Sequence, residues 1–326
     1  MIITRAPFRV SFCGGGSDIP AFYEKHGGCV LSTSIRKYMY LNAHDNFFRD
    51  QIILKYSKTE IVNDPAKIEH RIFRQVLTDY RINGIGLTSI ADIPSGTGLG
   101  SSSAFTVALL QLIHVYRGEE ISRYDLAQEA CDVEIRRLRE PIGKQDQFAA
   151  AFGGLNFYEF LPDGSVKVEP VELPEDRRRL LEKNLRLFYL GGEHSAPAIL
   201  DEQSRNAASD ADKAAAQMTM CDLARTLRDE FQKGNVDAAG DLLHENWMLK
   251  KSLASGITTS SIDAVYERAR RGGATGGKLL GAGGAGFMLF YVPEEEHERM
   301  TREMEGIREV EFEMDNTGSQ ILFIDR

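Results

Sequence analysis

The sequence predicts an α+β fold of two mixed domains, and three observations predict it. The first ninety residues are rich in short strand-like runs. A helix over 101–116 is apolar on nearly every face, as a helix buried in a layered core is. Both halves of the chain then mix strands with long helices and lack a regular βαβ series. The length of 326 residues is enough for two modest domains.

Taken in order, strands are expected over 9–13, 29–35, 38–43 and 51–56, then a helix over 67–80. A strand over 86–91 feeds a glycine loop, and Gly118 ends the apolar helix behind it. Ser122 caps a helix running to about 139, which Pro141 and Gly143 break. A shorter helix over 144–152 and an extended run over 155–160 follow. The charged stretch 174–184 is the least committed part of the middle, which places the domain boundary there: 1–184 and 185–326. The second half reads as a strand over 185–190 and helical patterns over 196–231 (interrupted), 236–255 and 261–271. A glycine turn into a strand over 278–292, a helix over 294–305 and two closing strands complete it.

Net charge is -9, against general nucleic-acid binding but not against a locally basic pocket. Cys13, Cys29, Cys131 and Cys221 form no Cys-x-x-Cys pair, so neither a zinc site nor a disulfide framework is expected. A reducing, cytoplasmic setting is the simplest expectation. The opening residues show no signal-peptide pattern, and no apolar run approaches the ~20 residues that span a bilayer.

The chemistry concentrates in Pro-Ser-Gly-Thr-Gly-Leu-Gly-Ser-Ser-Ser-Ala at 94–104. Gly96, Gly98 and Gly100 let the backbone turn tightly, and Ser101, Ser102 and Ser103 open the buried helix. Free N–H groups and the helix dipole favour phosphate there, and a serine hydroxyl can reach Mg²⁺. No Lys-Ser or Lys-Thr closes the segment, so it is not a Walker loop. Gly281-Ala-Gly-Gly-Ala-Gly286 matches the dinucleotide fingerprint in letters, but a strand-like run follows where that fingerprint needs a helix. A turn that closes on a neighbouring ligand or loop is expected instead, and a dehydrogenase is not. A third element, Gly14-Gly-Gly-Ser-Asp18, follows a strand. Asp18 either caps a helix or accepts hydrogen bonds from the hydroxyls of a polyol.

Glu134 falls on the apolar stripe of its helix with Ala127, Cys131 and Leu138, where an unpaired carboxylate is costly. Either a bound cation or a salt bridge to a residue such as Arg136 or Arg137 would account for it. Asp146 lies in the first turn of a short helix, a common place for Asp on dipole grounds alone. Arg9 is a charged residue in an otherwise apolar strand, which a snorkelling side chain would also explain.

Three motifs in register resemble those of the GHMP kinases: Ala6-Pro-Phe-Arg-Val10, the loop at 94–103, and Lys278-Leu-Leu-Gly-Ala-Gly-Gly-Ala-Gly-Phe287. The resemblance runs from residue 5 to about 290. It implies an ATP-dependent kinase of two mixed α/β domains, the second ferredoxin-like, with the active site in the cleft between them. It implies Asp146 and Arg9 as the catalytic pair and Ser102 with Glu134 as Mg²⁺ ligands. It implies nucleotide binding by Pro94, Gly96, Thr97, Gly98, Leu99, Gly100, Ser101, Ser102 and Ser103. Substrate would meet Gly15, Gly16, Ser17, Asp18, Lys144, Gly283 and Gly284. Ala-Pro-Phe-Arg-Val-Ser-Phe-Cys-Gly-Gly-Gly-Ser-Asp at 6–18 and Gly143-Lys-Gln-Asp-Gln-Phe148 are similar to the bacterial heptose kinases. Those act on O1 of D-glycero-D-manno-heptose 7-phosphate on the way to GDP-heptose. The expected partners are therefore a sugar phosphate and ATP, with neither nucleic acid nor membrane, and with homodimer formation left open. Lys144, Arg36 and Lys37 are the cations considered for a 7-phosphate. The run Gly191-Gly-Glu-His-Ser-Ala196 departs from the branch's Thr-Gly-x-x-Arg-x-Ala pattern, with His194 at the arginine's place. A different sugar, such as fucose or galactose, or a non-catalytic sensor is the alternative.

Overall fold

A computed structural model describes residues 1–192 and 196–325, which form two sheets with helices packed against them. His194 lies outside the described residues. Strands β1 (Ile2–Cys13) and β2 (Gly28–Asp45) are the spine of the first sheet, antiparallel along most of their length, with α1 (Pro20–His26) between them. The expected strands at 29–35 and 38–43 are one strand. The pairing jumps from Pro7↔Tyr38 to Phe8↔Ile35, so Arg36 and Lys37 form a bulge. That bulge breaks the apolar alternation and makes one strand read as two.

β3 (Ile52–Lys55) and β4 (Thr59–Val62) make a hairpin, and α2 (Arg71–Asp79) leads to β5 (Ile85–Ala91). β5 pairs with the later half of β2 and, in parallel, with β3. Helices α3 (Ser101–Arg117), α4 (Arg123–Cys131) and α5 (Gln145–Phe152) follow, with a π-helical segment, Asp132–Arg137, after α4. β6 (Leu155–Phe160) and β7 (Val166–Pro170) form a hairpin on the early half of β2. The stretch left uncommitted at 174–184 is helix α6 (Glu175–Asn184). Arg178 and Arg179 bond to Glu175 and Glu182 one turn away, and Leu181 plugs the core.

β8 (Leu185–Gly191) opens the second sheet, followed by α7 (Ala196–Ser209), α8 (Ala211–Gln232), α9 (Ala238–Lys251) and α10 (Ser260–Arg271). The interruption expected within 196–231 falls at Asp210, whose carboxylate caps α8 by accepting from Asp212 N and Lys213 N, both at 3.1 Å. β9 (Gly276–Leu279), β10 (Gly286–Tyr291), α11 (His297–Glu303) and β11 (Arg308–Glu309) complete a sheet of order β11-β8-β10-β9. That is the strand order of a split βαβ sheet.

The last strand, β12 (Gln320–Ile324), leaves this sheet and pairs with the outer edge of β1, which would otherwise be unpaired. A cut at 184/185 therefore does not give two self-contained blocks. One core also crosses it: Phe12 of β1 meets Phe231 of α8 edge-on at 5.6 Å, and Leu243 and Leu289 join the same cluster.

Candidate active site

The loop between β5 and α3 takes the shape its glycines predict. Gly96, Gly98 and Gly100 have φ of 75°, 85° and 78°, a region costly for residues with a Cβ. Gly100 is the N-cap of α3 and no side chain caps the helix, so its first N–H groups are left for a ligand. Ser101 and Ser103 are buried while Ser102 is exposed. Thr97 turns inward, its hydroxyl donating to Pro94 O at 2.9 Å, and Leu99 is buried. Thr97, Leu99, Ser103 and Pro94 all lie outside the cleft lining. β1 stitches the loop down: Arg9 N donates to Leu99 O at 3.1 Å, and Arg9 Nη1 to Gly98 O at 2.6 Å.

The remaining donors of Arg9 meet Asp146 in a fork, Nε to Oδ1 at 2.7 Å and Nη2 to Oδ2 at 2.9 Å. Arg9 is buried, which rules out the snorkelling reading. A Cβ on Gly100 would sit 3.2 Å from Asp146 Oδ2, so glycine here admits the carboxylate to the mouth of the helix. Gln145 Nε2 donates to Asp146 Oδ1 at 2.9 Å, while its buried Oε1 has no partner among the described residues.

Asp18 does not cap α1, whose N-cap is Ile19. Its carboxylate accepts from Gly16 N at 3.1 Å and from Gln145 N, at the start of α5, at 3.0 Å. Burial, and then the neighbouring Asp146, push its pKa above the usual carboxylate range against those hydrogen bonds. Gly143 has no room for a Cβ, which would lie 2.0 Å from Asp18 Oδ2.

Glu134 sits in the π-helical segment, fully buried. Its oxygens accept from Ser102 Oγ, Ser103 Oγ and Gln147 Nε2, each at 2.7 Å. Arg136 and Arg137 bond to Asp132, and Arg137 also to Asp79, so neither supplies the salt bridge. All three donors are neutral and burial pushes the Glu134 pKa up. A buried carboxylate beside an exposed serine hydroxyl fits a hard divalent cation that takes its other ligands from phosphate and water. Among the described residues no three His, Cys, Asp or Glu side chains converge as an all-protein cage.

Arg9, Asp146, Ser102 and the loop glycines line a cleft of about 230 Å³ with Gly15, Gly16 and Asp18, and Glu134 lies behind Ser102, outside that lining. Several expected residues do not join them. Ser17 is buried and its hydroxyl is spent on Cys29, donating to O at 2.9 Å and accepting from N at 3.0 Å. Lys144 turns away from the cleft to Gly164 O and the Tyr23 ring. Arg36 pairs with Glu313 on the surface, and Lys37 lines that same outer depression. Gly283 and Gly284 pack on Ile257, Gly284 N donating to its O at 2.9 Å; Gly281 and Ala282 line the cleft in their place.

Gln145, Gln203 on α7 and Lys250 on α9 are polar side chains that line the cleft outside the expected set. Ala239, Gly240, Leu243, Asn246, Trp247 and Lys250 are the buried residues of α9, at helical spacing. A lysine ending an apolar stripe was therefore a readable signal. Gln203 offers a weaker one, an amide whose Nε2 donates to Gln217 Oε1 at 3.4 Å on the neighbouring helix. All four cysteines are buried free thiols, and among the described residues no helix is long and apolar enough to cross a membrane.

An uncapped helix behind a glycine turn, facing an arginine-held carboxylate, is the equipment of a phosphotransferase. Comparison with known proteins agrees and narrows it. Residues 66–154 match the model of the GHMP kinases N terminal domain and residues 227–306 that of the GHMP kinases C terminal. The chain belongs to the GHMP kinases, a family of ATP-dependent kinases. It is 27% identical over 307 residues to the D-glycero-alpha-D-manno-heptose 7-phosphate kinase of Campylobacter jejuni, covering 89% of each chain. It is 24% identical to the galactokinase of Thermococcus kodakarensis, over 92% of this chain and 91% of that one. In fold it is similar to the crystal structure of a D-glycero-D-manno-heptose 1-phosphate kinase from Bacteroides thetaiotaomicron. There the TM-score is 0.82 at 23% identity, over all of both chains.

Proposed function

We propose that this chain transfers the γ-phosphate of ATP to O1 of D-glycero-D-manno-heptose 7-phosphate, giving the 1,7-bisphosphate used for GDP-heptose synthesis. The observation that carries the transfer is Asp146, held in a fork by Arg9 at the mouth of the glycine loop. The choice of sugar rests on the Campylobacter jejuni relative and on the Gly14–Asp18 segment, whose Asp18 faces the same cleft.

Main-chain N–H groups of 96–103 hold the phosphates of ATP, with the α3 dipole behind them. Arg9 takes both oxygens of Asp146 and fixes the carboxylate's direction, leaving lone pairs to accept the proton of the sugar hydroxyl. Asp18 and the unpartnered Oε1 of Gln145 accept from other hydroxyls of the sugar. Ile19, Ile142 and Leu200 supply apolar lining that limits water at the transfer point. Ser102 and Glu134 are the residues that would hold Mg²⁺, which supplies positive charge against the phosphate oxygens when bound. Lys144, Arg36 and Lys37 face elsewhere and take no part in this reading.

A coupled ADP-release assay across heptose 7-phosphate, fucose, galactose, homoserine and mevalonate tests the proposal, with ³¹P NMR to locate the new phosphate. The expected result is a kcat/KM for heptose 7-phosphate about 10²-fold above the rest, with a phosphate on the anomeric oxygen. Preference for fucose or galactose overturns the choice of sugar and leaves the kinase standing.

A further inference from the structure

Lys250 ends the buried face of α9 with its side chain in the cleft, and the residue is only 4% exposed. Its ammonium donates to Gly281 O at 2.5 Å. Among the described residues it has no carboxylate partner, whereas the adjacent Lys251 pairs with Asp263 at 3.4 Å. The charged groups facing Lys250 are Arg9 from β1, Asp18 from the turn after β1, Asp146 from α5 and Lys278 from β9. Arg9 spends its bonds on Asp146 and Gly98 O. Lys278 spends its own on Ser11, O at 3.0 Å and Oγ at 3.2 Å. Lys250 alone among these cations has one bond for three N–H donors. A buried cation without a counter-ion is costly to keep. Burial, and then Arg9, push its pKa down to about 8.

The place of this ammonium says which anion it awaits. The carbonyl it holds belongs to Gly281, whose backbone lies against Gly98 of the phosphate loop; a Cβ on Gly281 would be 2.5 Å from Gly98 Cα. Lys250 thus stands where the loop that holds the nucleotide meets the carboxylate that receives the acceptor. We infer that Lys250 is a catalytic residue that donates to the non-bridging oxygens of the terminal phosphate of the nucleotide while that phosphoryl group is transferred. The bond from the γ-phosphorus to the β–γ bridging oxygen breaks and one to the acceptor oxygen forms. Lys250 keeps its proton throughout and lends charge where it develops. This inference rests on the kinase reading of the cleft and not on which sugar is used. The other source of the same chemistry is a phosphate carried by the acceptor itself.

The test is a titration of the intact protein with ADP and with AMPPNP, each with Mg²⁺, between pH 7 and 9.5. No sugar is present, so a wrong sugar cannot spoil it. The variants are K250Q, which keeps a donor for Gly281 O but no charge, and K250R, which keeps the charge and serves as rescue. K250Q is expected to weaken AMPPNP by about tenfold and ADP by less than about twofold. Wild-type affinity for AMPPNP should fall as pH rises through about 8, where Lys250 loses its proton, and K250R should remove that fall. In turnover with the best sugar of the panel, K250Q should lower kcat by about 10² and leave the sugar KM within about threefold. Equal losses for ADP and AMPPNP, or no loss for either, overturn the inference; equal losses make Lys250 a backbone tether. An increase in the KM of a phosphorylated sugar alone, with nucleotide binding intact, also overturns it and gives Lys250 to the acceptor's phosphate.

Discussion

The glycine loop at 94–104 and the one at 281–286 are alike in letters and touch each other, yet their glycines answer to different demands. In the first, Gly96 has nothing within 4 Å of where a Cβ would be, and its φ of 75° is what a side chain would resist. The loop ends on an uncapped helix, so its open side is a place for a ligand. In the second, a Cβ on Gly281 would meet Gly98 Cα at 2.5 Å, and one on Gly286 would meet Thr97 O at 2.3 Å. Strand β10 comes next in the chain, with no helix terminus to offer. Gly96 leaves open space before the helix mouth, whereas Gly281 and Gly286 make room for the first loop, a contact that Gly98 returns at Leu280 O. Similar motifs are told apart by the element each one leads into and by the atoms that an added Cβ would meet.

Asp146→Asn tests the ligand-facing side hardest. kcat should fall by roughly 10²–10⁴ while nucleotide affinity holds, because the amide loses the basicity of the carboxylate, and Tm should fall as well because the buried Arg9 loses its counter-ion. Gly281→Ala tests the packing side, and a loop displaced by about 1 Å should cost about 10² in kcat/KM. Gly98→Ala, which would meet Leu280 O at 2.6 Å, should match it from across the seam. If Gly281→Ala is silent, the second loop is not a support for the first. Glu134→Gln should weaken the apparent Mg²⁺ affinity in the assay by roughly 10- to 100-fold, with a Tm that does not fall, since the neutral amide sheds the cost of a buried charge. A sharp drop in Tm with Mg²⁺ dependence unchanged would make Glu134 a structural buttress. Gly96→Ala should be mildest, with about 1 kcal/mol of backbone strain and an ATP KM raised by less than about fivefold.

Much of the first loop was legible because local chemistry dictates it: glycine spacing, an apolar helix and serines at its start. Glu134 was legible from its place on an apolar stripe, although the π-helical segment that carries it was not. That wider turn has no letter of its own in the sequence. Asp146 and Arg9 were assigned through resemblance, since their fork closes across 137 residues of chain. Lys144 went astray because charge and nearness in sequence say nothing about which way a side chain turns, and Tyr23 and Gly164 draw it outward. Gly283 and Gly284 were placed one step beyond the residues that reach the cleft, because the Ile257 segment they rest on is remote in sequence. The return of β12 to β1 is a long-range edge pairing that no local pattern announces.

A structure of the protein with AMPPNP and Mg²⁺ is the most direct test of the difference between the two loops. The account predicts nucleotide phosphates within hydrogen-bonding distance of main-chain N–H groups of 96–103, with residues 281–286 still packed on Gly98 and Thr97. Phosphates seated on the N–H groups of 281–286, with the helix mouth at Gly100 unused, would contradict it.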